Sequence, residues 1–559
     1  MAAAVRPEGL YLFGCGAPLS ASATAEVVGN KAAGLIRMAG AGLPVPPGFV
    51  LPTALCRAYL QQGGRLPDET VDLLRSGLGE LERVSGLGFG RDRRPLLVSV
   101  RSGAPASMPG MLDTVLNIGL CDRTLPALVR LTGNPRHAWD SYRRLIQAYA
   151  EVVGGLPAVP FERVLEEHLR REAVPSVIEL DVTALKGVCQ ELLARYEAEA
   201  GALFPQDPLA QLTGAVAAVF RSWQSARAAE YRRLHGLDDL AGTAVTVQAM
   251  VFGNMGGTSG AGVGFTRDPA TGENELYLDF LWNAQGEDVV SGRCAVPGAV
   301  GLRRPAPELY QQVRQAGVRL EQLFGDAQDF EFTVQEGRLY LLQSRAAKRT
   351  AWAALRIACD QVAEGLIDEA MALKRLAGYD LASIRTTRLV VPEGCRPISA
   401  GVPASPGVAV GEAVFEPEAA VARASSGRSA ILVRADIATE DIAGLAAAAG
   451  VLTARGGRTS HAAVVARQLN KVCIVGCGDL VFLGGGRGCR IGGEVIREGA
   501  ALSLDGHSGR VYCGRLEYIE EKPTRLVEEV NRWRARSPGI PVPVGQVEAG
   551  LLIKNRGDK

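Results

Sequence analysis

The sequence predicts an α/β protein of several domains, and three observations carry that prediction. Short apolar runs with strand character (PLLVSVRSG, TAVTVQAMVFG, AILVR) are interspersed with segments whose apolar residues recur every 3.6 positions. The 559 residues allow about three to five domains at roughly 100–200 residues each. A stretch rich in Pro, Gly and Ser, VPEGCRPISAGVPASPGVAVG (Val391–Gly411), separates a long first part from a compact second one.

The elements follow in order. KAAGLIRMAGAG (Lys31–Gly42) has helical spacing and a glycine stop, and LPVPPGFVL continues in extended form. PLLVSVRSG (Pro95–Gly103) reads as a buried strand. Residues 122–238, with DSYRRLIQAYAEVV and VTALKGVCQELLARYEAEAGALF, read as a helical insert. Strand signals return near residue 243 and recur at YLDFLWNAQ, DFEFTV and RLYLLQ. Residues 346–390 read as helical again, within a linker over 346–399. Residues 400–517 alternate short strands (AILVR, GVLTA, VCIVG, ALSLD, RVYCG) with one clear helix, a compact α/β domain. The last part, 518–559, holds one charged helix (Thr524–Arg536) and a polar end.

Composition narrows the function classes. A chain that is 47% hydrophobic and 22% charged is not extensively disordered. Its 61 Lys and Arg against 60 Asp and Glu exclude a whole-chain polycation, so nucleic acid is not an expected partner. No apolar run reaches the roughly 18 residues of a membrane span. The nearest, Ala443–Ala454, is mostly alanine broken by two glycines. The start, MAAAVRPEGLYLFGCG, lacks the pattern of a secretory signal. Eleven cysteines without a CxxC pair fit reduced thiols, and the expected location is cytoplasmic.

The sharpest motif is TARGGRTSHAAVVARQLNK (Thr453–Lys471). A strand ends, Gly456 and Gly457 turn the chain, and Ser460 or Thr459 caps a helix whose first turn holds His461. The positive end of the helix dipole disfavours the protonated imidazole. A neutral imidazole is a nucleophile, and the same dipole stabilises a phosphoryl group attached to it. On the residues alone a structural histidine at a helix start remains equally open. The other histidines, His137, His168 and His235 in helices and His507 in a turn, read as non-catalytic, and Cys473 and Cys477 read as packing residues.

GNMGGTSGAGVGFTRDP (Gly253–Pro269) is a second glycine-rich element, in which small residues let backbone N–H groups approach phosphate oxygens. A plain β-turn fits it too, and the chain has no GxxxxGK[ST] loop. DFEFTVQEGRLYLLQSR (Asp329–Arg345) reads as a hairpin. Asp329 and Glu331 share one face, as do Gln343 and Arg345. A three-residue loop, Gln335-Glu336-Gly337, pairs Asp329 with Gln343 and makes all four converge, whereas a two-residue turn sets Gln343 against Phe330. Two carboxylates beside an amide suit Mg²⁺ bridging phosphate oxygens. An ordinary hairpin with one solvated face fits the same residues.

TARGG-x-TSHAAVVAR resembles the phosphohistidine signature of enzymes that use phosphoenolpyruvate, in particular the pyruvate phosphate dikinase family. The likeness extends over VVGNKAAGLIRMAGAGLPVPPGFVL, PLLVSVRSGAPASMPGMLDTVLNIGL and VQAMVFGNMG through FLWNAQGEDVVSG. It implies an ATP-grasp nucleotide-binding module over 1–345, followed by a swivelling phosphohistidine domain over 400–517. His461 would take the β-phosphoryl of ATP. Lys31 and Arg101 would hold nucleotide phosphates, with Gly256, Gly257, Asp279, Gln343 and Arg345 binding nucleotide. Asp329 and Glu331 would hold Mg²⁺. Inorganic phosphate, the implied second substrate, would accept the γ-phosphoryl.

Four departures from the family pattern stand out. Arg458 replaces a methionine, Gln468-Leu469 replace Gly-Met, Gly257 replaces an aspartate and Asp279 replaces a glutamate. Thr459 matches a threonine that is phosphorylated in plant relatives, though a simple cap explains it here. The family continues into a (β/α)₈ barrel that binds pyruvate or phosphoenolpyruvate, for which the last 40 or so residues are too few. Three readings follow: a module completed by a separate polypeptide that binds phosphoenolpyruvate or pyruvate, a module with an unrelated acceptor, or a nucleotide-binding regulatory remnant. Retention of the named ligands argues against the last, and Gly257 and Asp279 keep it open. The oligomeric state is open as well, a homodimer included.

Overall fold

In TAVTVQA, valines alternate with alanine, threonine and glutamine, and this segment forms the middle strand (Ala244–Ala249) of a five-stranded antiparallel sheet. The order is Tyr11–Phe13, Gly48–Leu51, Ala244–Ala249, Val98–Gly103, Thr114–Ile118. The structure, a computed structural model, describes residues 9–536 except 17–19, 21, 107, 109–113, 241, 291–297, 438–440, 458–459 and 484–487. By its contacts the chain divides into two units, Met1–Gly260 with Phe332–Arg345, and Ala261–Glu331 with Ala346–Lys559.

In the first unit, strand alternation sends Phe49, Leu51, Val98, Val100, Val245 and Val247 to one face of the sheet. These residues share a single apolar core with the helices predicted at 122–238. Those helices are Leu125–Thr132, Pro135–Val152, Val159–Arg171, Val182–Ala200, Pro208–Ser222 and Ala226–His235. Asn134, Asp181, Asp207 and Ser225 each accept a backbone N–H at a helix start. A cap of that kind contributes about 1 kcal/mol, and left-handed Gly133, Gly201 and Gly236 close three of the helices. The opposite face of the sheet carries Ser99, Arg101, Thr246 and Gln248. Helix Asn30–Gly40, close to the predicted 31–42, contacts the strands Tyr11–Phe13 and Val98–Gly103.

The second unit contains an eight-stranded sheet. Its order is Ser399–Ala400, Arg510–Cys513, Ala501–Asp505, Val408–Val414, Ala430–Arg434, Gly450–Thr453, Val472–Val475, Val402–Ser405. The four strands from Val408 to Val475 run parallel. Parallel neighbours need crossovers, and the helices Pro417–Ser425, Ile442–Ala447 and His461–Gln468 supply them. The sequence predicts one helix here. The other two are short and rich in alanine, with too few large apolar residues to mark a face. Ala420 and Leu445 nevertheless share an apolar core with Val414, Leu432 and Val451.

The stretch read as helical over 346–390 has helices Ala351–Ala363 and Glu369–Leu376, but it ends in a strand, Thr386–Val390. That strand pairs antiparallel with Glu517–Glu521, a partner about 130 residues away that local periodicity cannot reveal. The charged helix Thr524–Arg536 lies where predicted, with Val530 and Trp533 buried against the two earlier helices. Among the described residues no helix is long and apolar enough to cross a membrane.

Candidate active site

Lys31 and Arg101 are tied together through backbone. Gly29 (φ 77°) lies just before helix Asn30–Gly40, and a Cβ there would overlap the carbonyl oxygen of Gly103. The Asn30 N–H donates to Ala104 O at 3.0 Å. The helix that carries exposed Lys31 therefore starts against the end of the strand that carries Arg101. The Nε of Arg101 is buried and has no hydrogen-bond partner among the described residues. Thr246, its cross-strand partner, likewise has a buried Oγ1 without one. Buried polar groups are almost always paired, so two orphans side by side on one sheet face point to a ligand that completes them. Sequence reasoning missed Thr246. Its alternation in TAVTVQ placed it on a strand, but the strand opposite could not be read.

The glycine-rich loop is gripped from two sides. On one side Asn134 Nδ2 donates to Met255 O at 3.2 Å, His137 Nδ1 lies 3.0 Å from Asn254 Oδ1, and Asn254 Nδ2 donates to Asp140 Oδ2 at 3.5 Å. On the other, Gly337 N–H donates to Thr258 O at 2.9 Å, Glu336 N–H to Ser259 Oγ at 3.0 Å, and Phe252 N–H to Gln335 Oε1 at 2.9 Å. Gly256 has φ 131°. Gly257 is exposed, and an added Cβ would meet nothing within 4 Å. The aspartate expected from the family pattern would fit there.

The hairpin differs from its expected closure. The strands are Gln328–Gln335 and Arg338–Ala346, so the loop is the two residues Glu336 (φ 49°) and Gly337 (φ 77°). Positive φ at both positions marks a type I′ turn. Such a turn sets Val334 and Phe332 against Leu339 and Leu341, all buried. The three-residue loop inferred from glycine placement is corrected accordingly. Both Gln343 and exposed Arg345 belong to the first unit. There Ser344 O lies 3.6 Å from the position of a Cβ on Gly34, one turn along the helix of Lys31.

The second unit carries the carboxylates. Asp329 is buried, Glu331 is half-buried on the same strand face, and Asp279 is buried in strand Tyr277–Trp282. No group of three or more His, Cys, Asp or Glu close enough to hold a metal occurs among the described residues.

His461 is the first residue of helix His461–Gln468, which follows strand Gly450–Thr453. Ser460 is the N-cap, and its Oγ accepts the Ala463 N–H at 3.4 Å. Gly456 (φ 108°) makes the turn, close to that cap. Arg458 and Thr459 lie outside the described residues. At the other end of the helix, buried Arg467 donates to Ala404 O at 2.8 Å. Its guanidinium sits 5.7 Å from the Phe265 ring centroid. Cys473 and Cys477 are buried, and burial pushes both thiols up to about 12, consistent with packing residues.

Residues 65–297 match the pyruvate phosphate dikinase AMP/ATP-binding domain. Residues 427–509 match the mobile domain of PEP-utilising enzymes. The pyruvate, phosphate dikinase of Clostridium symbiosum is 44% identical over 511 residues, 91% of this chain and 58% of that protein. The enzyme of the same name from Rhizobium meliloti is 43% identical over 546 residues, 95% of this chain and 61% of that protein. The chloroplastic one of Flaveria pringlei is 44% identical over 508 residues, 90% and 53% respectively. The chain thus spans between 53% and 61% of the length of these three relatives. Sharing both domain types in order and 43–44% identity along nine-tenths of its length, the chain is a homologue of the pyruvate phosphate dikinases, a family of phosphotransferases.

Proposed function

We propose that this chain is an ATP-dependent phosphotransferase that forms phosphohistidine at His461 from the β-phosphoryl of ATP. Inorganic phosphate takes the γ-phosphoryl, and AMP and pyrophosphate are released. In this reading 1–345 is an ATP-grasp module and 400–517 a swivelling domain, joined by the linker over 346–399. The observation that carries it is the buried Nε of Arg101, unpartnered among the described residues, beside the start of the Lys31 helix. Arg101 offers a fork of donors and Lys31 a point charge, a pair suited to a polyphosphate.

The chemistry divides among the residues as follows. Lys31, Arg101 and Arg345 offset phosphate charge, Gln343 and Asp279 contact the nucleotide, and Gly256 and Gly257 keep the loop backbone open to phosphate oxygens. Mg²⁺ is commonly held by one or two carboxylates and completed by phosphate oxygens. Asp329 and Glu331, two apart on one strand, fit that role without a third protein ligand. When bound, the ion neutralises charge that develops on the transferring phosphoryl. His461, at a helix start capped by Ser460, has the setting in which a phosphoryl is stabilised by the helix N-terminus. In-line transfer needs the imidazole within about 3–3.5 Å of phosphorus. The ribbon Thr386–Val390 with Glu517–Glu521 bundles entry and exit of the 400–517 domain, which suits a domain that turns about one place.

Gly257 and Asp279 favour a second reading, a nucleotide-binding module without transfer. MgATP labelled in the β-phosphoryl separates the two. The first reading puts label on His461 and releases AMP, and the second leaves ATP intact.

A further inference from the structure

The buried polar cluster at the start of helix Pro135–Val152 holds none of the residues given a role in the proposed transfer. Asn134, His137 and Asp140 lie along the first two turns of that helix, and all three reach one short segment, Asn254-Met255. His137 and Asn254 are 1% and 4% exposed. The roles of the atoms follow from their partners. Asn254 Oδ1 can only accept, so His137 Nδ1 carries the proton and donates. Asn254 Nδ2 donates to Asp140, whose carboxylate also accepts from Arg143 at 2.6 and 2.9 Å and from Arg144 at 3.0 Å. The His137 ring stands edge-on to Phe252, 4.7 Å between centroids. Both hydrogen-bonding ends of the Asn254 amide are therefore assigned, and the side chain cannot flip without losing both bonds.

We infer that Asn134, His137 and Asp140 are positioning residues that lock the glycine-rich loop, through Asn254 and Met255, in the conformation that receives the polyphosphate of ATP. The inference rests on the nucleotide reading above. A glycine-rich loop has much backbone freedom to lose, so N–H groups aimed at phosphate need an external frame. The helical insert supplies it on one side and the Gln335–Gly337 turn on the other. The helical insert therefore sets how tightly the polyphosphate is held and leaves the adenosine part unaffected.

The test compares ATP and AMP binding to wild type, His137→Ala, His137→Gln and Asn254→Ala, together with hydrogen exchange of residues 252–260 in the absence of nucleotide. The expected result is that His137→Ala and Asn254→Ala weaken ATP about tenfold, the scale of one or two lost buried hydrogen bonds. AMP affinity changes less than twofold and loop exchange accelerates. His137→Gln, which keeps a donor, recovers most of the ATP affinity. Asn254→Ala leaves the helix core intact and guards against a His137 variant that fails to fold. Loop exchange unchanged in both alanine variants overturns the clamp, as does faster exchange with ATP affinity intact. Equal losses for ATP and AMP reduce the cluster to a structural role and overturn the inference. A wild type that binds neither nucleotide overturns the nucleotide reading itself, which the exchange data do not depend on.

Discussion

Lowering the pH should destabilise the first unit through His137. Burial pushes this imidazole down from 6.5 to about 4, against the opposing pulls of the Asn254 bond and Asp140, with Arg144 and Arg136 helping to lower it. The fold thus holds His137 neutral, while the unfolded chain takes up a proton near 6.5. The stabilisation is fully present above about 6.5 and is lost as pH falls toward about 4, because the unfolded state binds more protons in that window. At 1.36 kcal/mol per unit of pKa difference, the loss between pH 7 and pH 5 is about 2 kcal/mol. Asp140 stays ionised throughout. Burial alone would raise it, but Arg143 and Arg144 hold it well below the usual carboxylate range. Urea unfolding of wild type and His137→Gln at pH 7, 6 and 5 isolates the effect, since the glutamine does not titrate and every other group is common to both. Wild type should lose about 2 kcal/mol more than the variant from pH 7 to pH 5. Equal losses, or a wild type that gains on acidification, would refute a neutral buried imidazole at this position.

Two further outcomes follow from glycine geometry. Gly29→Ala forces a Cβ into the Gly103 carbonyl in a backbone conformation that side chains rarely adopt. It should cost at least about 3 kcal/mol in chemical unfolding, and a loss below about 1 kcal/mol contradicts the close approach. Gly257→Asp, which restores the family's aspartate into open space, should shift stability by no more than about 0.5 kcal/mol. A fall in Tm equivalent to more than about 1 kcal/mol would show that the loop is packed where the structure leaves it open.

Strands with strong β-branched runs were legible in the sequence, AILVR and VCIVG among them, because a buried parallel strand is apolar on both faces. So were the long helices between 125 and 235, which carry an apolar stripe. The alanine-rich crossovers at 417–425 and 442–447 were not, since small residues leave no contrast between faces. The ribbon strand Thr386–Val390 needed a partner far along the chain. In the candidate site, Lys31, Arg101 and His461 could be picked out by pattern, but the Thr246 orphan and the grip on Asn254 depend on which elements meet. The hairpin turn shows the same limit. One glycine suggested a three-residue loop, whereas Glu336 itself takes the left-handed conformation and closes a tighter turn. His137 looked like a bland helical histidine because its partner lies 117 residues away.

The central claim is that His461 receives a phosphoryl group from ATP. Incubation with Mg²⁺, inorganic phosphate and ATP labelled in the β-phosphoryl, followed by peptide mapping, tests it most directly. The account predicts one labelled phosphoryl per chain on the peptide containing His461, labile to acid and stable to base. AMP and pyrophosphate should appear in step with the label. His461→Asn should abolish the label and leave ATP affinity nearly unchanged. Label that persists in the variant, or ADP as the sole nucleotide product, would contradict the claim.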